Sequence, residues 1–118
     1  MYEIYLELHF NAAHYLRGYD GPCCRLHGHS YKTGLVFRMD SLDETGISFD
    51  FVKAKQTAAK TISLLDHTCL NELEPFKEKN PTAENIARFI YDSIKREVPE
   101  LWSVSVWESA TTCATYYE

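Results

Sequence analysis

Two stretches constrain this chain more than anything else in it. Residues 2–14 and 27–39 each alternate apolar and polar side chains, and a period of two marks a half-buried β-strand. In the first, Ile4, Leu6, Leu8, Phe10 and Ala12 share one parity, with Glu3, Tyr5, Glu7 and His9 on the other. His14 continues the apolar set unless a bulge near Ala12-Ala13 shifts it. In the second, His27, His29, Tyr31, Thr33, Leu35, Phe37 and Met39 fall on one face. Gly18, Gly21 and Pro22 make residues 15–26 a loop.

The remainder reads as helices and then strands. Residues 40–46 form a turn, and Ile47-Ser48-Phe49 reads as a short extended piece. Asp50 suits the N-cap of a helix over 51–65, with Val52, Ala59, Ile62 and Leu65 as its apolar stripe. A second helix begins after Pro81 with Thr82 as N-cap. Glu84 suits its positive end, and Ala83, Ile86, Ala87, Ile90 and Ile94 repeat at helical spacing. Pro99 stops it. Residues 102–108 and 112–117 form a closing hairpin. The order β-β-α-α-β-β predicts an α+β fold, a four-stranded antiparallel sheet with two helices on one face. Residues 1–118 make one domain. Such a sheet has two open edges, which favours oligomerisation.

Composition excludes several functions. The net charge of −5 over 118 residues argues against a general nucleic-acid surface. It leaves room for an anionic small molecule in a local basic pocket. No stretch approaches membrane-spanning length, and the acidic start does not resemble a signal peptide. The four cysteines, 23, 24, 69 and 113, form no C-x-x-C pair, so a reducing, cytoplasmic setting is expected.

The chemistry gathers around Cys23-Cys24-Arg25-Leu26-His27-Gly28-His29. Two histidines two residues apart on a strand share a face, with Gly28 between them leaving room for an approaching group. With His14 they make three nitrogen ligands, and three protein ligands with an open position is the pattern of a catalytic zinc. An H-x-H pair also arises from packing alone, so the rest of the chain must support it. Asp66-His67 reads either as helix capping or as an acid that orients an imidazole for proton exchange with Cys23. Cys23 itself is either an inert thiol or, near a cation, a reactive one. Trp102, Val104 and Val106 set an inward parity that Glu108 shares, and an inward carboxylate needs donors. Either the strand has ended and Glu108 meets solvent, or a bound heterocycle supplies them.

Taken together these segments resemble the 6-pyruvoyl-tetrahydropterin synthase and 6-carboxytetrahydropterin synthase family, of the tunnelling fold. The matching stretches are Phe10-Asn11-Ala12-Ala13-His14, Cys23 through His29, Leu65-Asp66-His67, Asn80-Pro81-Thr82-Ala83-Glu84-Asn85 and Trp107-Glu108-Ser109. The resemblance implies zinc on His14, His27 and His29, and catalysis by Cys23, Asp66 and His67 with Glu108. Glu108 would anchor a pterin ring, with Thr82 also binding substrate. It further implies trimers closing a barrel, two trimers stacking, and sites between subunits. Cys24 departs from the pattern, but Cys23 has the family spacing to His27. The short C-x-x-x-H-G-H spacing is similar to the bacterial carboxy branch, on the route to queuosine and related 7-deazapurines. The implied substrate is 7,8-dihydroneopterin triphosphate, with Arg17, Arg25 and Lys32 as candidates for its phosphates. The competing readings are a pyruvoyl synthase, which keeps all carbons, and a non-catalytic metal- or pterin-binding module.

Overall fold

β1 (Tyr2–His14) and β2 (His27–Met39) pair antiparallel over their full lengths, Tyr2 opposite Met39 and His14 opposite His27. The computed structural model describes residues Met1–Glu118, and along this ladder its register never breaks. No bulge therefore turns His14 outward. It stays on the face of Ile4, Leu6, Phe10 and Ala12 and is buried with them. A register kept over so long a pair fixes every side chain's face, because a slip of one residue would invert them all.

The sheet has five strands, not four, and is mixed. Its order is β3-β1-β2-β4-β5, and β3 (Thr68–Cys69) runs parallel to β1 at Ala12 and Ala13. Two residues carry no periodicity, so nothing in the sequence marks β3. The chain reaches β1 through a turn in which His67 adopts φ 57° and its N–H donates to the Asn11 carbonyl at 2.6 Å. β4 (Leu101–Trp107) lies beside β2, and β5 (Cys113–Tyr117) closes the expected hairpin.

Trp102 departs from its expected parity. Val36 faces Ser103 while Phe37 faces Leu101, so Trp102 is the extra residue of a β-bulge. Leu101 takes the core position, and Trp102 turns out to lie under the Arg38 guanidinium, 3.8 Å from its ring centre. Beyond the bulge Val104 and Val106 face inward as expected.

α1 (Phe51–Leu65) starts where expected, the Asp50 carboxylate accepting from Val52 N–H at 2.9 Å. Its buried stripe is Ala54, Ala58, Thr61, Ile62 and Leu65, while Val52 and Ala59 are exposed. Small alanines let the helix approach the sheet closely, a role that hydrophobicity alone does not signal. α2 (Ala83–Lys95) buries Ile86, Ala87, Ile90, Tyr91 and Ile94, and the Thr82 hydroxyl accepts from Asn85 N–H. Ile47-Ser48-Phe49 forms no strand; Asp43 instead gathers Thr45 and Ile47 N–H groups into a turn, and Phe49 stacks on Phe37. Both helices and the inward sheet residues share one apolar core. No helix is long and apolar enough to cross a membrane.

Candidate active site

The end of the β1–β2 ladder sets the three histidines on one face. Their ligand atoms lie within 4.8 Å of one another, and their ring centres are 4.6, 4.8 and 5.0 Å apart. Two tautomers are fixed by carbonyls, which can only accept. His14 Nδ1 donates to Pro81 O at 2.7 Å and His27 Nδ1 to Arg25 O at 2.6 Å. Each leaves an Nε2 lone pair for the centre, which is how ligating histidines are usually oriented. His14 Nε2 and His29 Nε2 are buried with no hydrogen-bond partner. Buried nitrogens left bare on converging imidazoles fit a divalent metal, and neutral imidazole is the form that binds one.

The Pro81 carbonyl is itself held in place. Asn80 exchanges two hydrogen bonds with the Arg17 backbone, and Asn85 Nδ2 donates to the Asn80 carbonyl. The segment from Asn80 to Asn85 thus caps α2 and buttresses His14 together. Gly28, by contrast, faces the other side of the sheet from the histidines. A Cβ there would meet only Ala12 O at 3.5 Å, so this glycine is not what makes room at the metal site.

Burial lowers the affinity of His14 and His29 for protons, outweighing the raising influence of Pro81 O on His14 and of Glu108 on both. The consequence for stability has a definite sign. As pH falls through the ordinary histidine value of 6.5, the unfolded chain takes up protons that these two folded imidazoles refuse. The metal-free protein should therefore lose stability from about pH 6.5 downward until the folded groups also protonate. Thermal melts in chelator across that range test this; a midpoint rising on acidification would contradict it.

Glu108 sits at the rim, Oε1 3.9 Å from His14 Nε2 and Oε2 3.9 Å from His29 Nε2. It also lines a cavity of about 440 Å³ with Leu16, Tyr19, Thr82, Glu84 and Thr112. Glu108 and Thr82 thus line one cavity, together with Glu84, a first-turn glutamate that reads from sequence as helix-end charge.

Asp66 and His67 form a pair of their own. Asp66 Oδ1 accepts from Asn11 N–H at 2.9 Å, and Oδ2 lies 2.9 Å from His67 Nδ1. The Asn11 bond first, and His67 with it, hold this carboxyl below its ordinary value. His67 is widely exposed and lines a cleft with Asn11, Ala12, Ala13, Gly28, His29 and Ser30 of β1 and β2. Cys23 lies instead in a 3₁₀ turn, Pro22–Cys24, tied to Leu16 through its carbonyl at 2.8 Å. Its thiol is half-buried and Cys24 is exposed. No hydrogen bond joins the Cys23 thiol to Asp66 or His67 within the chain.

Of the basic candidates, Arg17 is committed elsewhere, donating to the carbonyls of Phe76 at 3.0 Å and Asn71 at 3.4 Å. Lys32 lies over Trp107 on the outward face. Arg25 alone is free, beside Cys24 on an open surface.

A triad of imidazoles at the end of a strand pair could hold a metal ion, with a carboxylate-lined cavity beside it. The 6-pyruvoyl tetrahydropterin synthase family profile matches residues 3–118, and the chain belongs to that family. It is 37% identical over 123 residues to the 6-carboxy-5,6,7,8-tetrahydropterin synthase of Synechocystis sp., covering 99% of this chain and 94% of that one. The Bacillus subtilis enzyme of the same name is 31% identical, over 98% of this chain and 77% of its own. The structure of the 6-pyruvoyl tetrahydropterin synthase of Caenorhabditis elegans superimposes with a TM-score of 0.87 at 26% identity, covering 100% of this chain and 97% of that one. The protein is thus a pterin synthase by family, and an enzyme of the lyase type.

Proposed function

We propose that this chain converts 7,8-dihydroneopterin triphosphate to 6-carboxy-5,6,7,8-tetrahydropterin, with zinc held by His14, His27 and His29. The observation that carries this is the convergence of bare, buried imidazole nitrogens beside Glu108, whose oxygens lie 3.9 Å from two of them and which lines a cavity with Thr82. The identity to bacterial carboxy synthases supports the choice of product. When bound, the metal supplies Lewis acidity to side-chain oxygens of the substrate. The Cys23 thiolate removes a side-chain proton. His67, with its Nδ1 held by Asp66, relays protons through Nε2. Triphosphate leaves by elimination, and a retro-aldol-like cleavage of the C1′–C2′ bond expels acetaldehyde while one water supplies the second oxygen of the carboxylate left on C1′.

The lack of any hydrogen bond between Cys23 and the Asp66–His67 dyad within one chain supports a site completed by a second copy. β1 is paired on its outer side only at Ala12 and Ala13, and β5 is an edge, so strand edges are open for association. A trimer or a dimer of trimers in the cytoplasm is the assembly proposed.

The deciding experiment incubates purified protein with dihydroneopterin triphosphate and follows products by mass. Acetaldehyde with the 6-carboxy product supports the reading. Triphosphate release with all carbons retained identifies a pyruvoyl synthase, and no turnover by zinc-loaded protein leaves a binding module.

Glu108 is proposed to take the donor edge of the pterin. Glu108→Gln puts an NH₂ where an acceptor stood, and should weaken pterin affinity by the charge-assisted share, about 1.5–3 kcal/mol. Glu84 offers a second carboxylate in the same cavity. Titrations of Glu108→Gln and Glu84→Gln at matched zinc occupancy apportion the ring edge between them. Unchanged binding in Glu108→Gln removes that role from it.

A further inference from the structure

Residues Tyr15 to Gly21 join β1 to the Pro22–Cys24 turn without helix or strand. Such a loop has no ladder to hold it, and ordering it costs conformational entropy. Two asparagines supply the missing partners. Asn71 Oδ1 accepts from Tyr15 N–H at 3.0 Å, and Asn71 Nδ2 donates to Tyr15 O at 2.9 Å. Asn80 treats Arg17 in the same way, accepting from its N–H and donating to its carbonyl, both at 2.8 Å. An amide side chain carries an acceptor and a donor side by side, so it can pair with both backbone groups of one residue as a neighbouring strand would. Asn71 is buried, and both ends of its amide are bonded. The Arg17 guanidinium ties the same tripeptide once more, donating to the carbonyls of Phe76 and Asn71.

The residue between the two clamped ones reaches the thiol turn. Leu16 N–H donates to Cys23 O at 2.8 Å. The other backbone bonds of that turn, Cys24 N–H to Gly21 O and Arg25 N–H to Pro22 O, are internal to it. Leu16 is therefore the point at which the Cys23 turn hangs from the fold, and it also lines the cavity that Glu108 and Thr82 share. Asn80 in turn precedes Pro81, whose carbonyl accepts from His14 Nδ1. One short segment thus sets both a metal ligand and the loop that carries the thiol.

We propose that Asn71 and Asn80 are positioning residues for Cys23: by clamping Tyr15 and Arg17 they fix Leu16, and through it the place of the thiol turn against the cavity. This rests on Cys23 taking the substrate proton as proposed above. Neither asparagine touches a reacting atom; both act through the bond from Leu16 to Cys23.

The test uses Asn80→Ala, at a half-buried position outside the apolar core, with Asn71→Ala as a second variant, in full-length protein with zinc saturating. The first readout is amide hydrogen exchange, which needs no pterin. Leu16 N–H should exchange roughly tenfold faster in either variant, while the amides of the β1–β2 ladder keep their wild-type rates. The second is turnover of dihydroneopterin triphosphate, in which kcat should fall roughly 10²-fold with KM little changed, the cost of a misplaced catalytic group. In a Cys23→Ala background the same substitutions should cost nothing further, because the residue they position is gone. Unchanged exchange at Leu16, or an equal fold-loss of kcat with and without Cys23, overturns the proposal. Faster exchange at Leu16 in a protein that never turns over the pterin keeps the clamp and rejects the catalytic reading instead.

Discussion

Cys23→Ala is expected to fold, bind zinc at wild-type stoichiometry, and lose about 10²–10⁴-fold in kcat, the usual cost of removing a proton-transfer group. The expectation follows from geometry as well as resemblance. Cys23 lies on the turn that feeds His27, its thiol half-buried, and it makes no contact that the fold depends on. Cys24 is exposed and should tolerate alanine with little loss. A reversed order, with Cys24→Ala the damaging change, would reassign the thiol. The same variant reports on assembly. The Asp66–His67 dyad makes no hydrogen bond to Cys23 within one chain, and the thiol of one chain is proposed to meet the dyad of another. Cys23→Ala and His67→Ala chains, each inactive alone, should then recover activity when co-expressed. With random mixing at equal levels, about a quarter of the shared sites are intact. Sites built within one chain would recover none.

Purified wild-type protein should carry about one zinc per chain, and His27→Ala or His29→Ala should carry almost none after mild dialysis, because two imidazoles cannot hold the ion as three do. The effect should be selective. His27 and His29 are half-buried at the end of β2 and are not part of the apolar core, so their loss removes the metal without opening the packing of Leu35, Phe37 and Val104. His14→Ala should cost stability too, since His14 is buried and joins β1 to the Pro81 carbonyl. Elemental analysis alongside circular dichroism separates these cases. Full activity of the native protein after exhaustive chelation would refute the zinc reading outright.

What the sequence determined by itself were the features with local causes. Period-two alternation placed β1 and β2 and the inward face of His14, His27, His29 and Tyr31, because side-chain direction in a strand depends only on position along it. A strong apolar stripe behind a threonine cap placed α2, and adjacency alone paired Asp66 with His67. The tertiary structure decided whatever depends on distant partners. β3 exists only because Thr68 and Cys69 meet Ala12 and Ala13. Trp102 turned outward because the β2–β4 register takes up one extra residue there. α1 turned its alanines inward because the sheet surface beneath it admits a close approach. Pro81 reached across to lock His14, Glu84 joined the cavity, and Glu108 came within 3.9 Å of His14 and His29, positions far apart in the chain. Local pattern fixes which way a side chain points, while the company it keeps is set by how the whole chain packs.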